Sequence, residues 1–444
     1  MLYSDKDLKK LILPLVLEQL LAILVGMIDM VMVSGVGEAA VSGVSLVDNI
    51  NILVINISAA MATGGAVVAG HFLGQKNPEN AGKAAWQLIL CSSVVAAVIS
   101  FFLVIWHKPV LHLVFGQVDA DVMRNAITYL TITAVAIIPI TIYNSCAALF
   151  RAMNQTKITM WISIMMNVVN VIINAILIYG MKMGVAGAAI ATAIARTLAA
   201  VIILYMMFDP NKVINIKGKI IWKIDTQLIK RILYIGIPNG LENSLFQLGK
   251  ILLLSLISTF GTFAIAANAV CNILAGFNVL PGMAINLALL SVAAVCVGAG
   301  DYDQARYYTR KMLKLAIVCT AVISSVLILF TPWILKIYNL SPETEILATK
   351  VIRYHAVMAV FLWMPSFTIP NTLRAAGDVV WTMVIAIGSM WTFRIITSYL
   401  LSAYTDLGLM SVWIAMTLDW VFRAICYGYR YRGHKWEHYV ISEK

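Results

Sequence analysis

Polar side chains that could bind a small cation stand inside apolar runs of the first half of the sequence. Asp29 lies in the first run, and Asn170 and Asn174 lie four residues apart in the fifth. Residues four apart share one face of a helix, so both amides would face the same way. Carboxylate, amide and hydroxyl oxygens suit a hard monovalent cation, whereas a lone carboxylate can instead bind a proton. We therefore expect a site for Na⁺ or H⁺ at Asp29, Asn170, Asn174 and the hydroxyl of Thr192.

Other polar side chains of the first half are also candidates, because an ionisable group at the bilayer centre costs several kcal/mol. Glu18 lies eleven residues before Asp29, on nearly the same helix face and about 16 Å away along the axis. Arg196 follows Thr192 by four residues and could pair with Asp29 or Glu18 in a purely structural role. We include Glu18 and Arg196 as possible cavity or substrate residues. For Asn167 we favour the alternative, that such amides only join helices.

The second half carries a different set of polar residues in its apolar runs. Glu242 is followed by a polar stripe of Asn243, Gln247 and Lys250, and Arg394 stands in a later run. The two cations could face a water-filled cavity and contact an acidic partner or substrate. They could equally be structural, with Lys250 paired to Glu242 or extended towards the membrane surface. All five are included as possible cavity or substrate residues.

The remaining polar residues of the second half are predicted to be structural. Asp419 and Arg423 stand four residues apart near the end of the last apolar run, a spacing that predicts an ion pair along one helix. His355 is a lone histidine and is expected to lie in the core. Pro14 and Pro238 stand four residues before the two glutamates and are interpreted as bend points of their helices.

Composition places these residues in a membrane. Of the 444 residues, 61% are hydrophobic and only 12% are charged, with a mean hydropathy of +0.88. A soluble domain carries about 25% charged residues, so a soluble enzyme, a disordered chain and a disulfide-stapled secreted domain are excluded. Each crossing needs about 20 apolar residues. Twelve apolar segments meet that length, at residues 11–33, 44–73, 84–106, 126–149, 158–180, 184–207, 232–258, 264–297, 312–335, 349–373, 379–401 and 408–428.

The net charge of +11 is explained by the orientation of the chain in the membrane rather than by binding to nucleic acid. Lys and Arg are concentrated in the loops of one side, which is typical of the cytoplasmic side of membrane proteins. Both termini are therefore predicted to be cytoplasmic, in a multi-pass protein of the cell membrane. The six cysteines lie in apolar runs without a C-x-x-C pair, so neither a zinc site nor a disulfide framework is predicted.

The sequence repeats itself after 224 residues. In that ungapped register Pro14 falls on Pro238 and Glu18 on Glu242. Six spans per half is an even number, so both halves enter the membrane in the same direction, related by a pseudo-twofold axis along the membrane normal, with the substrate site between them. The predicted fold is all-α, with twelve transmembrane helices in two six-helix lobes. Its parts are the N-terminal lobe at 1–208, a basic cytoplasmic linker at 209–231, the C-terminal lobe at 232–429 and a basic cytoplasmic tail at 430–444.

Short motifs along the whole chain resemble one family of membrane transporters. The first span with Pro14, Glu18 and Asp29 resembles the family's opening pattern, and Asn170-Val171-Ile172-Ile173-Asn174 resembles its fifth-span motif. Further matches are Gly74-Gln75-Lys76-Asn77, Gly298-Ala299-Gly300-Asp301, Leu373-Arg374-Ala375-Ala376-Gly377-Asp378 and Val412-Trp413-Ile414-Ala415. Together with the internal repeat, these motifs make the chain similar to prokaryotic multidrug and toxic compound extrusion (MATE) transporters.

The resemblance implies export of organic cations and other amphipathic compounds in exchange for Na⁺ or H⁺. The family's first-lobe cation site uses an acid on the first span, two Asn or Asp positions on the fifth and a Thr on the sixth. Those positions fall on Asp29, Asn170, Asn174 and Thr192. Many members also carry an acid on the tenth span, which this sequence lacks. The resemblance therefore does not extend to a cation site in the second lobe.

The expected function is a secondary active antiporter that works by alternating access. The alternatives are a flippase for lipid-linked saccharides and an exporter of one dedicated metabolite. The sequence contains no recognisable nucleophile–base pair, metal cluster or nucleotide motif, so neither an enzyme nor an ATP-driven pump is expected. No cofactor beyond the coupling ion is expected. The expected partners are the lipid bilayer and a small amphipathic or cationic substrate, without nucleic acid, for a chain that is a monomer.

Overall fold

The structure is a computed structural model that describes residues 2–116, 119–216, 224–338 and 340–438. Regular secondary structure in these ranges is helical throughout. The helices of the first part of the chain are α1 (Asp5–Ser34), α2 (Glu38–Gly74), α3 (Pro78–Phe115), α4 (Ala120–Val135), α5 (Ile137–Ala152), α6 (Thr156–Asn174) with the π-helical segment Ala175–Gly180, and α7 (Gly184–Met207).

The second part of the chain continues the same helical architecture. Its helices are α8 (Thr226–Ser258), α9 (Thr262–Gly298), α10 (Tyr302–Lys336), α11 (Pro342–Met358) with the π-helical segment Ala359–Trp363, α12 (Met364–Ala375), α13 (Val379–Ser389) with the π-helical segment Met390–Ile396, α14 (Thr397–Tyr404), α15 (Leu409–Arg432) and the short 3₁₀ helix Lys435–His438. Within the described ranges, eleven helices are long and apolar enough to cross a membrane, or twelve when one bent pair is counted as a span. The predicted all-α membrane fold is confirmed.

The bent pair is the predicted span at 126–149. It consists of α4 and α5, which meet at Ala136 with an angle of 47°. Pro139 stands in the first turn of α5, and proline lacks the N–H that would bond the carbonyl of Val135 four residues earlier. The ladder therefore breaks where the chain passes from α4 to α5. By contrast, α1 and α8 continue as helices through Pro14 and Pro238.

Matching positions of the two halves begin their helices in the same way. Gly37 precedes α2 with a φ of 137°, and Gly261 precedes α9 with a φ of 97°. Gly184 and Gly408 begin the last long helix of each half, with φ values of 56° and 52°. Residues with a side chain rarely adopt this left-handed backbone, so glycine lets the chain reverse in a short loop. The local structure thus follows the 224-residue repeat.

Contacts divide the described chain into two compact units, one at Tyr3–Gly240 and a second that begins at Leu241, inside α8. The core of the first unit contains fully buried side chains such as Val47 and Leu130. The core of the second includes Leu253 and Trp413. Part of the predicted linker, with Lys217, Lys219 and Lys223, and residues 439–444 of the predicted tail lie outside the described residues.

Candidate functional site

Asp29 lies near the carboxyl-terminal end of α1, beside the end of α6. Its Oδ1 accepts a hydrogen bond of 2.9 Å from the Asn174 amide. Asn170, one turn earlier on α6, has an amide atom 2.8 Å from the same oxygen and another 3.3 Å from the Thr192 hydroxyl on α7. Three helices thus bring together the four residues that the sequence predicts to bind a cation. Both amides are buried, while Asp29 and Thr192 are half-buried.

The helix type changes directly after this site. α6 ends at Asn174 and continues as the π-helical segment Ala175–Gly180. Each π-turn contains an extra residue, and such segments frequently occur at functional sites. The Tyr179 hydroxyl of this segment donates to the Met32 carbonyl at 3.1 Å. That bond ties the segment to α1 three residues after Asp29, and so helps to hold the carboxylate against the amides.

The Asn170 amide satisfies both of its neighbours when its nitrogen faces Asp29 and its oxygen faces the Thr192 hydroxyl. With its nitrogen towards Asp29, it donates to Oδ1 at 2.8 Å and to Oδ2 at 3.2 Å, and its oxygen accepts from Thr192. With its oxygen towards Asp29, two oxygens lie 2.8 Å apart, which is favourable only when they share a proton or a cation. The Asn174 amide oxygen is buried and has no hydrogen-bond partner among the described residues. The site can therefore offer donors to a bare carboxylate or oxygens to a cation.

Two residues that the sequence did not single out, Asp48 and Tyr129, lie in the same region as Asp29 and the predicted Arg196. Asp48 on α2 and Arg196 on α7 both act electrostatically on Asp29, and Tyr129 on α4 lies beside Thr192. Two carboxylates with one guanidinium leave a net negative charge when both are ionised, which favours a cation. The signal available for Asp48 was an acidic residue within the apolar segment at 44–73. Among the described residues no three His, Cys, Asp or Glu side chains group as a metal site.

Glu18 has different partners from Asp29. Its carboxylate lies 3.9 Å from Arg151 on α5 and accepts a 3.1 Å hydrogen bond from Thr159 on α6. Of the two acids expected as alternatives for Arg196, the structure places Asp29 near it and Glu18 with Arg151. Glu18 and Arg151 are largely buried, and their ion pair joins α1 to α5.

Glu242 repeats this arrangement in the second unit. Arg374 on α12 donates to both of its oxygens, at 2.6 and 2.7 Å. Because Arg374 takes both oxygens, Lys250 does not form the ion pair with Glu242 that was one of its two expected structural roles. Asn243 and Gln247 lie half-buried on the same helix, α8.

Lys250 and Arg394 meet at one aromatic ring. The Lys250 ammonium and the Arg394 guanidinium each lie 5.1 Å from the ring centroid of Phe246. The predicted ion pair on α15 is confirmed, with Arg423 Nε 2.8 Å from Asp419 Oδ1. Arg394 approaches the same carboxylate only to 3.9 Å. The second unit therefore places basic side chains together where the first places acids and amides.

Known proteins match the chain over both halves. The MatE family model matches residues 14–176 and again residues 238–400, in the register of the 224-residue repeat. The probable multidrug resistance protein NorM of Thermotoga maritima is 24% identical over 97% of this chain and 93% of its own length. The uncharacterized transporter YisQ of Bacillus subtilis is 26% identical over 95% of this chain and 93% of its own length.

A solved structure has the same fold. It is the outward-facing conformation of a multidrug resistance MATE family transporter of the MOP superfamily, with a TM-score of 0.90 and 19% identity. The match covers 96% of this chain and 95% of that structure. At this identity the likeness shows a two-lobed, all-helical membrane fold, while the family match covers both halves and confirms the resemblance that the motifs predicted. The chain is a multi-pass membrane transporter rather than an enzyme, and it belongs to the MatE family.

Proposed function

We propose that the protein is a secondary active antiporter of the cell membrane with both termini in the cytoplasm. It exports organic cations or amphipathic drugs by alternating access, and Na⁺ or H⁺ binding at Asp29 drives the cycle. The observation that carries this proposal is the Asp29 carboxylate between two buried amides inside a membrane span. The name of the Thermotoga maritima relative, which refers to multidrug resistance, supports a drug-like substrate.

A half-buried carboxylate inside a span makes the first unit sensitive to cations. Charge in a membrane is costly, and neutralisation by a bound cation or proton removes most of that cost. The amides of Asn170 and Asn174 donate to Asp29 and offset part of the cost, but they leave its charge in place. The loaded and the bare site therefore favour different conformations of the surrounding helices.

Coupling requires that the cation and the exported compound favour different conformations or compete for one. Cation binding reverses the Asn170 amide. Its oxygen then faces Asp29 and the cation, and its nitrogen donates to the Thr192 hydroxyl. A hydrogen bond to a charged group contributes about 1.5–3 kcal/mol. A tenfold change in affinity needs only about 1.4 kcal/mol, so a change in one such bond is sufficient for coupling.

The ligands of the site favour Na⁺ as the coupling ion. A proton needs only the carboxylate, whereas Asn170 can add an amide oxygen 2.8 Å from Asp29 Oδ1, and the Thr192 hydroxyl and the Asn174 amide oxygen, which has no partner among the described residues, lie next to Asn170 or Asp29. Neutral oxygens of this kind are what a hard monovalent cation requires after it loses water. H⁺ is the alternative that the following experiment separates.

The test is ethidium efflux from proteoliposomes that contain the full-length protein. A Na⁺ gradient at equal pH is compared with a pH gradient without Na⁺. We expect efflux under the Na⁺ gradient and its loss in Asp29→Asn. Asp121→Asn makes the same change at an exposed residue outside the site and should leave efflux at the wild-type rate.

Two results would count against the proposal. Efflux in Asp29→Asn at the wild-type rate would remove the cation site while leaving drug export in place. No efflux under either gradient would reject polyspecific drug export, and a lipid-linked saccharide or one dedicated metabolite would become the leading substrate.

A further inference from the structure

Positive charge exceeds negative charge around the half-buried ring of Phe246 in the second unit. The cationic groups of Lys250, Arg394 and Arg423 lie 5.1, 5.1 and 5.7 Å from its ring centroid. Among the described residues, Asp419 is the one carboxylate within 4 Å of any of these three cations. One negative charge therefore faces three positive charges.

Asp419 is already engaged by Arg423. Arg423 Nε donates to its Oδ1 at 2.8 Å, and the Ser389 hydroxyl donates to the same oxygen. Arg394 lies 3.9 Å from the other oxygen, and its Nε is buried without a hydrogen-bond partner among the described residues. Even a closer approach of Arg394 would leave a single carboxylate shared by two guanidinium groups.

Lys250 has no carboxylate partner in the described part of the chain. Glu242, on the same helix, is held at both oxygens by Arg374. The charged group with a marked electrostatic effect on Lys250 is Arg394, which carries the same sign. The Phe246 ring attracts both cations, but a ring quadrupole cannot replace a counter-charge. An anion from outside the unit would supply the missing charge.

The internal repeat shows that this polarity is an inversion of the Asp29 site. In the register in which the family model matches both halves, Leu253 stands at the position of Asp29 and Arg394 at the position of Asn170. Leu253 is buried in the core of the second unit. The second half has thus replaced an acid with an apolar residue and an amide with a guanidinium, and it has added Lys250 one turn earlier on α8.

We propose that the second unit holds a site for a small organic anion, in which Lys250 and Arg394 bind a carboxylate group over the Phe246 ring. Lys250 is exposed and Arg394 is largely buried, so the two cations lie at an outer and an inner position. Both lie 5.1 Å from one centroid, which limits their separation to about 10 Å, and one carboxylate with an apolar body can lie between them. This site belongs to the second unit alone and is independent of ion coupling at Asp29.

Isothermal titration of the purified full-length protein in phosphatidylcholine nanodiscs tests the site. The probe is 2-naphthoate, and its uncharged methyl ester is the matched control ligand. We expect 2-naphthoate to bind more tightly than the ester. Lys250→Gln and Arg394→Asn should each weaken it about 10- to 100-fold, the loss of one charge-assisted hydrogen bond. Arg394→Lys should weaken it less, because the charge remains.

Control variants separate this site from the rest of the protein. Lys336→Gln removes an exposed positive charge on α10 and should not change the affinity. Asp29→Asn should also retain naphthoate binding, so a failure of ion coupling and a failure of the anion site give different results. Lys250→Gln breaks no ion pair of the described residues and carries the test if Arg394→Asn does not fold.

Three outcomes would overturn the proposal. One is equal affinity for 2-naphthoate and its ester, and another is an equal loss of affinity in Lys336→Gln and Lys250→Gln. The third concerns lipid, since the same cations could bind a phosphate headgroup. If replacing part of the phosphatidylcholine with phosphatidylglycerol abolishes naphthoate binding, a lipid headgroup occupies the site. Unchanged affinity in those discs supports a small anion.

Discussion

Arg374 donates to both carboxylate oxygens of Glu242, at 2.6 and 2.7 Å. The equivalent acid of the first unit, Glu18, lies 3.9 Å from Arg151. Both pairs are largely buried, so each arginine neutralises a charge that would otherwise be costly. Each unit therefore contains its own Arg–Glu ion pair at the equivalent position, and the two pairs differ in the distance between the guanidinium and the carboxylate.

This difference predicts unequal effects on stability. Arg374→Gln should lower the free energy of unfolding by about 3–5 kcal/mol, because it leaves the Glu242 carboxylate buried without a partner. Arg151→Gln should cost about 1–2 kcal/mol, since the Glu18 carboxylate keeps its hydrogen bond from Thr159. Thermal unfolding of the purified protein, followed by tryptophan fluorescence, measures both.

The double variant Glu242→Gln/Arg374→Gln is the control for the first prediction. It removes both charges and should unfold at a higher temperature than Arg374→Gln alone. Equal destabilisation by Arg151→Gln and Arg374→Gln would contradict the difference in geometry.

A second prediction concerns the oxygen ligands at Asp29. Asn174→Ala removes a hydrogen bond to the carboxylate and an amide oxygen that has no other partner among the described residues. The Na⁺ concentration for half-maximal ethidium efflux should therefore rise about tenfold or more. Asn167→Ala, on the same helix, is the matched control and should leave that concentration unchanged. If both variants shift it equally, the amides only join helices.

Helical spacing predicted which helix faces carry the residues of this candidate site, but not that the helices meet. Asn170 and Asn174 are separated by one helical turn, and Asp29 is an acid in an apolar run, so local arithmetic placed their side chains on usable faces. The arrangement of α1, α6 and α7 that brings them within hydrogen-bond distance is tertiary. It followed from the resemblance to a family rather than from spacing.

Asp48 and Tyr129 were missed because their contribution depends on helix packing. Neither residue has a spacing that relates it to Asp29, and α2 and α4 are placed beside α1 and α7 only in the folded unit. The cluster at Phe246 was missed in part for the same reason. Lys250 and Arg394 were identified as charges in spans, but their shared ring and the engagement of Glu242 by Arg374 are tertiary contacts.

A third prediction concerns close helix packing in the first unit. A Cβ at Gly64 would lie 2.4 Å from the Ile232 carbonyl oxygen at the start of α8. A Cβ at Gly65 would lie 2.3 Å from a methyl group and 2.7 Å from Cγ of the fully buried Leu88, a side chain that must shift but can do so without displacing a helix backbone. Gly64→Ala should therefore destabilise the protein by about 1–3 kcal/mol, and Gly65→Ala by less.

Gly26→Ala is the control for this series, because a Cβ there meets nothing within 4 Å. It should be neutral or stabilise the protein by up to about 1 kcal/mol through helix propensity. Chemical denaturation or thermal unfolding of the three variants measures their order of stability. Greater stability of Gly64→Ala than of Gly65→Ala would show that α2 and α8 can separate freely.

The last prediction concerns pH and the segment after α15. Arg306 donates to the Glu437 carboxylate, and His434 Nδ1 lies 3.0 Å from its other oxygen. Burial opposes ionisation of Glu437, but the hydrogen bonds from Arg306 and His434 and the charge of Arg306 outweigh it and lower the pKa of Glu437. Next to it, Trp436 is fully buried and donates to the Tyr431 carbonyl at 3.0 Å. Protonation of Glu437 should therefore loosen the packing of Trp436.

The direction of the pH dependence follows from the lowered pKa. Glu437 stabilises the folded segment at neutral pH, and this stabilisation is lost as the pH falls through the folded-state pKa, below the ordinary value of 4.5. The difference in fluorescence between the wild type and Trp436→Phe isolates the emission of Trp436 and should change with a midpoint below 4.5. Glu437→Gln should show the loosened emission at neutral pH and no transition on acidification. A midpoint above 4.5 that is also seen in Glu437→Gln would mean that another group controls the segment. Glu437 itself should titrate below 4.5, because Arg306 holds its carboxylate ionised.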